Sequence, residues 1–292
     1  MLYNDIIVTG NRAIAKSYAK INLSLDVLGR LENGYHEVEM VMQSLSLFDL
    51  VIVDKAKYGI RLSTNCKFLP NDDKNIAYKA AKAFYEATKI EGGVKILIHK
   101  NIPIAAGLAG GSGNAAAVLC AMNLLYNSPL SDDELLKLGL SLGADVPYCI
   151  MGGTKLAKGI GEVITDLTNL KKIPVLLVKP QEGVSTAEIY NAIDTAENLT
   201  HPDTKGVIEA ISQGDIDMLC AKMGNIMETV TAKKNKHIMG IKEKMLSLGA
   251  MGSIMSGSGP TVFGIFKDVE TAKKAHDFFR EKYQDVFLTS TI

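Results

Sequence analysis

The chain has 292 residues, 32 basic and 32 acidic side chains that cancel to zero formal charge, 47% hydrophobic residues and no tryptophan. Neutrality excludes the broad positive field of a nucleic-acid binder, and no apolar stretch approaches the roughly twenty residues needed to cross a bilayer. The length exceeds the usual size of one domain and predicts two. The first residues, MLYNDIIVTGNR, have no basic lead, long apolar centre or small-residue cleavage site, which predicts a cytoplasmic protein without a secretory signal. Cys66, Cys120, Cys149 and Cys220 are far apart, and none of the five histidines falls in an HExxH spacing. Neither a zinc knuckle nor a redox pair is expected, and no metal-ligating side chains are assigned.

In chain order, residues 14–28 alternate as a long half-buried strand, with Ile21, Leu23, Leu25 and Val27 on one face. A turn at Glu32-Asn33-Gly34 follows, then strands over 45–54 and 58–63. Residues 73–89 carry Ile76, Ala80, Ala83, Phe84 and Ala87 at helical spacing, and Val94, Ile96 and Ile98 mark one face of another strand. An alanine-rich helix is predicted over 112–126. Ser131 and Glu134 form a capping box for a further helix that Gly143 ends. A strand at 173–179 opens the second half. Ser185 and Glu188 form another capping box before a helix over 186–195, and helices follow at 204–213, 215–230 and 235–248. Strand 261–266, helix 270–283 and strand 286–290 complete the chain. The class is α+β in two abutting domains, with the boundary in the charged turn near 165–172, giving domains 1–168 and 169–292.

The 26 glycines cluster at 107–113, 152–161 and 249–259. In the first cluster, IPIAAGLAGGSGNAAA at 102–117, a proline-containing turn and a glycine run lead from a strand directly into a helix. Successive glycine N–H groups and a helix N-terminus together suit an anionic phosphate. No charged side chain occurs from Asn101 to Ser131, so backbone dipoles and the Ser112 hydroxyl would have to hold such an anion, with cations arriving from elsewhere. The loop is not a Walker A motif, because no GK[ST] follows, and it is not GxGxxG, because position 116 is alanine. From the glycine pattern alone, phosphate binding and a tight strand-to-helix connection both remain open. SGSGP at 256–260 likewise reads either as a turn abutting a phosphate site or as a helix-to-strand turn requiring positive φ.

Three strings resemble the ordered motifs of the GHMP kinases, the family of galactokinase, homoserine kinase, mevalonate kinase and phosphomevalonate kinase. SYAKINLSLDV is similar to the first, PIAAGLAGGSGNAA to the second and MSGSGPTVFGIF to the third. ENGYHEVEMVMQSL at 32–45 and LGADVPYCIMGGTKLAKGIGE at 142–162 narrow the likeness to the branch acting on a cytidine-diphosphate-linked polyol. The resemblance implies the two-domain GHMP kinase fold, with a ribosomal protein S5 domain 2-like N-terminal domain and a ferredoxin-like C-terminal sandwich. It also implies ATP as phosphoryl donor, Mg2+, a small-molecule alcohol as acceptor, and a monomer or homodimer.

By the same resemblance, Asp145 in GADVP is the catalytic base and Lys20 in AKINL its partner. On residue type alone, Asp145 reads as a cap of the turn before Pro147, and Lys20 as an outward-facing charge on a strand. The ATP loop would comprise Pro103, Ile104, Ala105, Ala106, Gly107, Leu108, Ala109, Gly110, Gly111, Ser112 and Gly113, with Ser112 offered to a phosphate or to magnesium. Gly113 departs from the family's usual second serine and removes a hydroxyl. Tyr35, His36 and Tyr190 match positions that recognise cytosine, two rings flanking the base and the histidine bonding its edge. Asn22 would contact the polyol, and Thr186 the substrate phosphates or hydroxyls. Lys155 and Lys158 read as solvated charges near the loop. Two further readings are another small-molecule kinase of the family and a catalytically weak nucleotide-binding homologue.

Overall fold

The structure is a computed structural model that describes residues 5–197 and 199–292. The chain folds into two compact units of interleaved sequence. The first comprises Met1–Ala19, Phe48–Ile104 and Ala109–Gly152; the second comprises Lys20–Leu47, Ala105–Leu108 and Gly153–Ile292.

In the first unit, β1 (Ile7–Thr9) pairs antiparallel with the start of β2 (Arg12–Arg30), Ile7 opposite Ile14. The end of β3 (His36–Ala56) pairs antiparallel with β5 (Gly93–His99), and β5 pairs parallel with β4 (Gly59–Thr64). Four helices pack together: α1 (Ile76–Thr88), α2 (Gly110–Leu125), α3 (Asp132–Leu142) and α4 (Asp145–Met151). Helix α1 starts later than the periodicity predicts, because the Asn75 side chain accepts a bond from the Ala77 N–H and sets the N-cap there. The capping box of α3 forms as read, Ser131 and Glu134 satisfying each other's backbone. Phe84 is fully buried in this core beside Ala77, Ala80 and Ala81, and truncating it to alanine would cost about 3–5 kcal/mol.

In the second unit, β6 (Thr154–Lys158) pairs with the early part of β3, Met40 opposite Ala157, and with β7 (Val163–Asp166). A separate antiparallel sheet has the order β10 (Gly252–Met255), β11 (Val262–Ile265), β8 (Pro174–Lys179), β12 (Asp285–Ser290). Helices α9 (His237–Ser247) and α10 (Val269–Arg280) pack on that sheet, and α5 (Thr186–Ile193) and α6 (Thr204–Gln213) precede them in the chain.

Three expectations change. The single helix expected over 215–230 is broken into α7 (Ile216–Lys222), the short strand β9 (Gly224–Asn225) and α8 (Glu228–Lys234). Met223 turns to ψ 138°, and Gly224 and Asn225, both poor helix formers, pair in parallel with Ser24 and Leu25 of β2. Strand β10 was not anticipated, so SGSGP joins two strands and not a helix to a strand; Gly257 (φ +57°) and Gly259 (φ +86°) do supply the expected left-handed residues. Strand β3 begins at His36, nine residues before the predicted strand at 45–54.

A further change concerns β2. From Lys20 to Val27 it is buried on both faces, not one. Its polar row is matched residue by residue within the second unit. Lys20 Nζ donates to Asn22 Oδ1 at 2.7 Å, Ser24 shares a hydrogen bond with Thr204, and Asp26 Oδ1 meets His201 Nδ1 at 2.8 Å.

Candidate active site

Before α2 the chain takes left-handed conformations at alternate positions: Ala105 (φ +49°), Gly107 (φ +71°) and Ala109 (φ +54°). Positive φ at alternate residues is a backbone pattern in which successive N–H groups can turn toward an anion. Ala109, the N-cap, makes no side-chain cap bond, and the first turn of α2 contains no acidic residue. The first N–H groups of a 16-residue helix are therefore left to an outside acceptor. Ser112 is half-buried and Gly111 exposed in that turn.

The N-terminal end of α2 is anchored by a polar cluster that sequence reading missed. Asp49 is fully buried and accepts from the backbone N–H groups of Asn101 (2.7 Å) and Ile102 (2.8 Å) and from Asn114 Nδ2 (2.8 Å). It also pairs with Lys100 Nζ, whose side chain is 6% exposed and which donates to Asn114 Oδ1 at 3.3 Å. Lys100 immediately precedes the uncharged stretch, and that adjacency was the available signal. Asp49, inside the apolar string SLFDLV, gave none. The Gly113 departure has a packing cause. A Cβ there would lie 2.6 Å from Ser17 Oγ, so the Ser17 hydroxyl, which accepts from Asn114 Nδ2, fills the space where a serine would begin. Asp145 is the first residue of α4 and is half-buried, ahead of the buried Val146, Pro147 and Tyr148.

In the second unit, Lys20 is 4% exposed, far from the solvated charge that its residue type suggests. Its backbone N–H donates to Leu108 O at 3.2 Å, which ties β2 to the Ala105–Leu108 segment. The SGSGP loop reaches the same segment. Ser256 Oγ donates to Gly107 O at 3.0 Å, and a Cβ on Gly107 would lie 2.2 Å from Ser256 O, so only glycine permits the approach. Asn225 Nδ2 holds the far side of that loop through the Met255 and Gly257 carbonyls, both at 2.8 Å. Thr186, at the start of α5, shares a 2.8 Å hydrogen bond with Ser258. Of the two serine-glutamate boxes, that of α5 is half made: Ser185 Oγ accepts from the Glu188 N–H.

The residues expected to meet a base fall into one group and one outlier. The His36 ring stacks on Tyr190 with centroids 4.7 Å apart and planes 23° from parallel. Tyr35 lies in the turn, 60% exposed, its backbone N–H bonded to Asn33 Oδ1. Asn22 is fully buried and its Nδ2 reaches Met40 Sδ at 3.3 Å. Lys155 pairs with Asp166, and Lys158 with Glu39 at 2.7 Å. Among the described residues no cluster of three or more His, Cys, Asp or Glu is placed to hold a metal ion, and no helix is long and apolar enough to cross a membrane.

Comparison with known proteins bears on these features. The family model described as GHMP kinases N terminal domain matches residues 75–153, and that described as GHMP kinases C terminal matches 207–285. A 4-diphosphocytidyl-2-C-methyl-D-erythritol kinase of Clostridium novyi (strain NT) is 50% identical over 277 residues, covering 95% of this chain and 99% of the relative. A crystal structure of 4-(cytidine 5'-diphospho)-2C-methyl-D-erythritol kinase superposes with a TM-score of 0.82 at 30% identity, covering 95% of this chain and 98% of that one. A homoserine kinase from Cytophaga hutchinsonii shares the fold at 19% identity, with a TM-score of 0.76 over 98% of this chain and 96% of its own. The uncapped α2, the glycine-dependent contact at Gly107 and the three ordered motifs thus occur in a chain that belongs to the GHMP kinase family, alongside the 4-diphosphocytidyl-2-C-methyl-D-erythritol kinases.

Proposed function

We propose that the protein transfers the γ-phosphoryl group of ATP to the 2-hydroxyl of 4-diphosphocytidyl-2-C-methyl-D-erythritol, the kinase step of the non-mevalonate route to isoprenoid precursors. The observation that carries this reading is the 50% identity to a 4-diphosphocytidyl-2-C-methyl-D-erythritol kinase across 95% of this chain and 99% of the relative. The positive-φ residues before α2 and the N–H donors of its first turn, which no side chain caps, support residues 103–113 as the ATP loop. That stretch carries no carboxylate to repel a triphosphate. Magnesium would accompany the nucleotide and neutralise phosphate charge, and the Ser112 hydroxyl is the loop's available ligand.

In this reading the Asp145 carboxylate accepts the proton of the attacking hydroxyl, and Lys20 offsets the charge that develops on the transferred group. The burial of Lys20 supports the role, since a desolvated ammonium acts on nearby charge with little screening. Asn22, bonded to Lys20 on the same strand face, takes the polyol, and Thr186 the substrate's phosphates or hydroxyls. Tyr35, His36 and Tyr190 take the cytosine. The functional domains are residues 1–168 and 169–292, which separate the two family-model matches. A cytoplasmic setting and a monomer or homodimer belong to the same proposal. A coupled ADP-release assay with magnesium tests it: turnover of the cytidine ester is expected, and turnover of mevalonate or homoserine in its place overturns it.

A further inference from the structure

Asp194, just beyond the C-terminal end of α5, takes no part in the functional reading above, yet it holds the His36 ring. His36 Nε2 and Asp194 Oδ1 are 2.6 Å apart, and Arg30 Nη1 donates to the second carboxylate oxygen at 3.4 Å. The other face of the constraint is the Tyr190 ring stacked on the imidazole. The His36 side chain is 8% exposed, so little freedom remains to it. An ionised carboxylate accepts and cannot donate, so Nε2 must carry the proton. In neutral imidazole the other nitrogen, Nδ1, is then an acceptor. Nδ1 has no hydrogen-bond partner among the described residues.

We infer that Asp194 is a specificity-determining positioning residue: by fixing the His36 tautomer it presents Nδ1 as an acceptor that selects an amino-pyrimidine over an oxo-pyrimidine. Cytosine offers an exocyclic N–H2 donor at the position where uracil offers a carbonyl oxygen. An Nδ1 lone pair bonds the first and opposes the second, and a site that hydrogen-bonds a substrate group strongly rejects the analogue lacking it. This inference rests on the proposal that the substrate carries a cytidine moiety.

The test compares kcat/KM for the cytidine ester and for the uridine ester of the same polyol, in wild type and in Asp194→Asn. An asparagine amide can donate to Nε2, which permits the opposite tautomer and makes Nδ1 a donor; the equivalent exchange beside a catalytic histidine is known to impose the wrong tautomer. Wild type is expected to prefer cytidine by about 100-fold or more, and Asp194→Asn to erode that ratio by about tenfold or more. Equal loss on both esters, with the ratio kept, would mean that Asp194 serves only the fold and would overturn the inference. So would a wild type that turns over both esters alike. Failure to turn over either ester would instead count against the kinase reading. Nitrogen-15 NMR of His36 in the wild type decides independently of turnover and of whether the variant folds. A protonated Nε2 with an unprotonated Nδ1 at mildly alkaline pH supports the inference, and the reverse pattern overturns it.

Discussion

Replacing Asp49 with alanine perturbs the base of the loop-to-α2 connection most directly. The carboxylate is fully buried and accepts from Lys100, from two backbone N–H groups and from Asn114. Alanine would leave a lysine side chain, 6% exposed, without its counter-charge. It would also leave the Asn101 and Ile102 N–H groups without their acceptor. Removing one partner of a buried pair costs about 3–5 kcal/mol, and each stranded donor about 1–3 kcal/mol. These losses overlap, since the lysine can reorient toward water, and we expect about 4 kcal/mol in all, a large share of a stability of about 5–15 kcal/mol. With a urea m-value near 3 kcal/mol/M, the midpoint falls by about 1.3 M. Tyrosine fluorescence follows unfolding without tryptophan background, since the chain has none. Lys100→Met should cost less, because the carboxylate keeps three N–H donors. A midpoint shift under about 0.3 M for Asp49→Ala, or a larger loss for Lys100→Met, would refute the view of Asp49 as the hub.

Asp145→Asn should lower kcat by about 10²–10⁴ while ATP affinity, read by calorimetry, changes little; turnover near wild type removes Asp145 from the chemistry. Gly107→Ala places a Cβ 2.2 Å from Ser256 O at φ +71°, and a cost of about 2 kcal/mol would lower the melting temperature by about 4–8 °C. Gly113→Ser should destabilise alone but recover when Ser17→Ala removes the opposing hydroxyl, with a coupling of about 0.5–3 kcal/mol in a double-mutant cycle. The Cys220 thiol is pushed up to about 12, chiefly by burial and secondarily by the Asp217 charge. At pH 8 roughly one part in 10⁴ is thiolate, so mass spectrometry should find it alkylated far more slowly than an ordinary exposed cysteine.

Elements that carry their own punctuation were legible from sequence. Helix α3 announces itself through Ser131, Glu134 and Gly143, and the glycine run located the start of α2 within two residues. Two-sided burial hid the rest. Residues 36–44 of β3 mix Glu37 and Glu39 with buried Met40, Met42 and Gln43, so no period of two survives. The polar row Lys20, Asn22, Ser24 and Asp26 looked like a solvated face because its partners Thr204 and His201 come from remote sequence. The stacking of His36 on Tyr190 and the bond to Asp194 depend on residues 154 and 158 positions away. No local pattern encodes such contacts. The family motifs pointed to the individual residues, but not to what holds them.

The interleaving of the two units has a kinetic consequence. Every residue of the first unit has been synthesised by Gly152, whereas the second cannot close until the chain reaches its final segment. Gly224 and Asn225 must arrive to pair with Ser24 and Leu25, and the N–H of Ile292 donates to Ser44 O. At about 5–20 residues per second, the strands that carry Lys20, Asn22 and His36 wait about 10–50 s on the ribosome for their last neighbours. Their edges stay open through that interval, in a stretch that the finished fold buries on both faces. The polar side chains alternating along β2 are then its protection, since a strand bearing Lys20, Ser24 and Asp26 is harder to recruit into a foreign sheet than an apolar one. The row proposed for the site in the folded protein thus also disfavours foreign strand pairing until the site can exist.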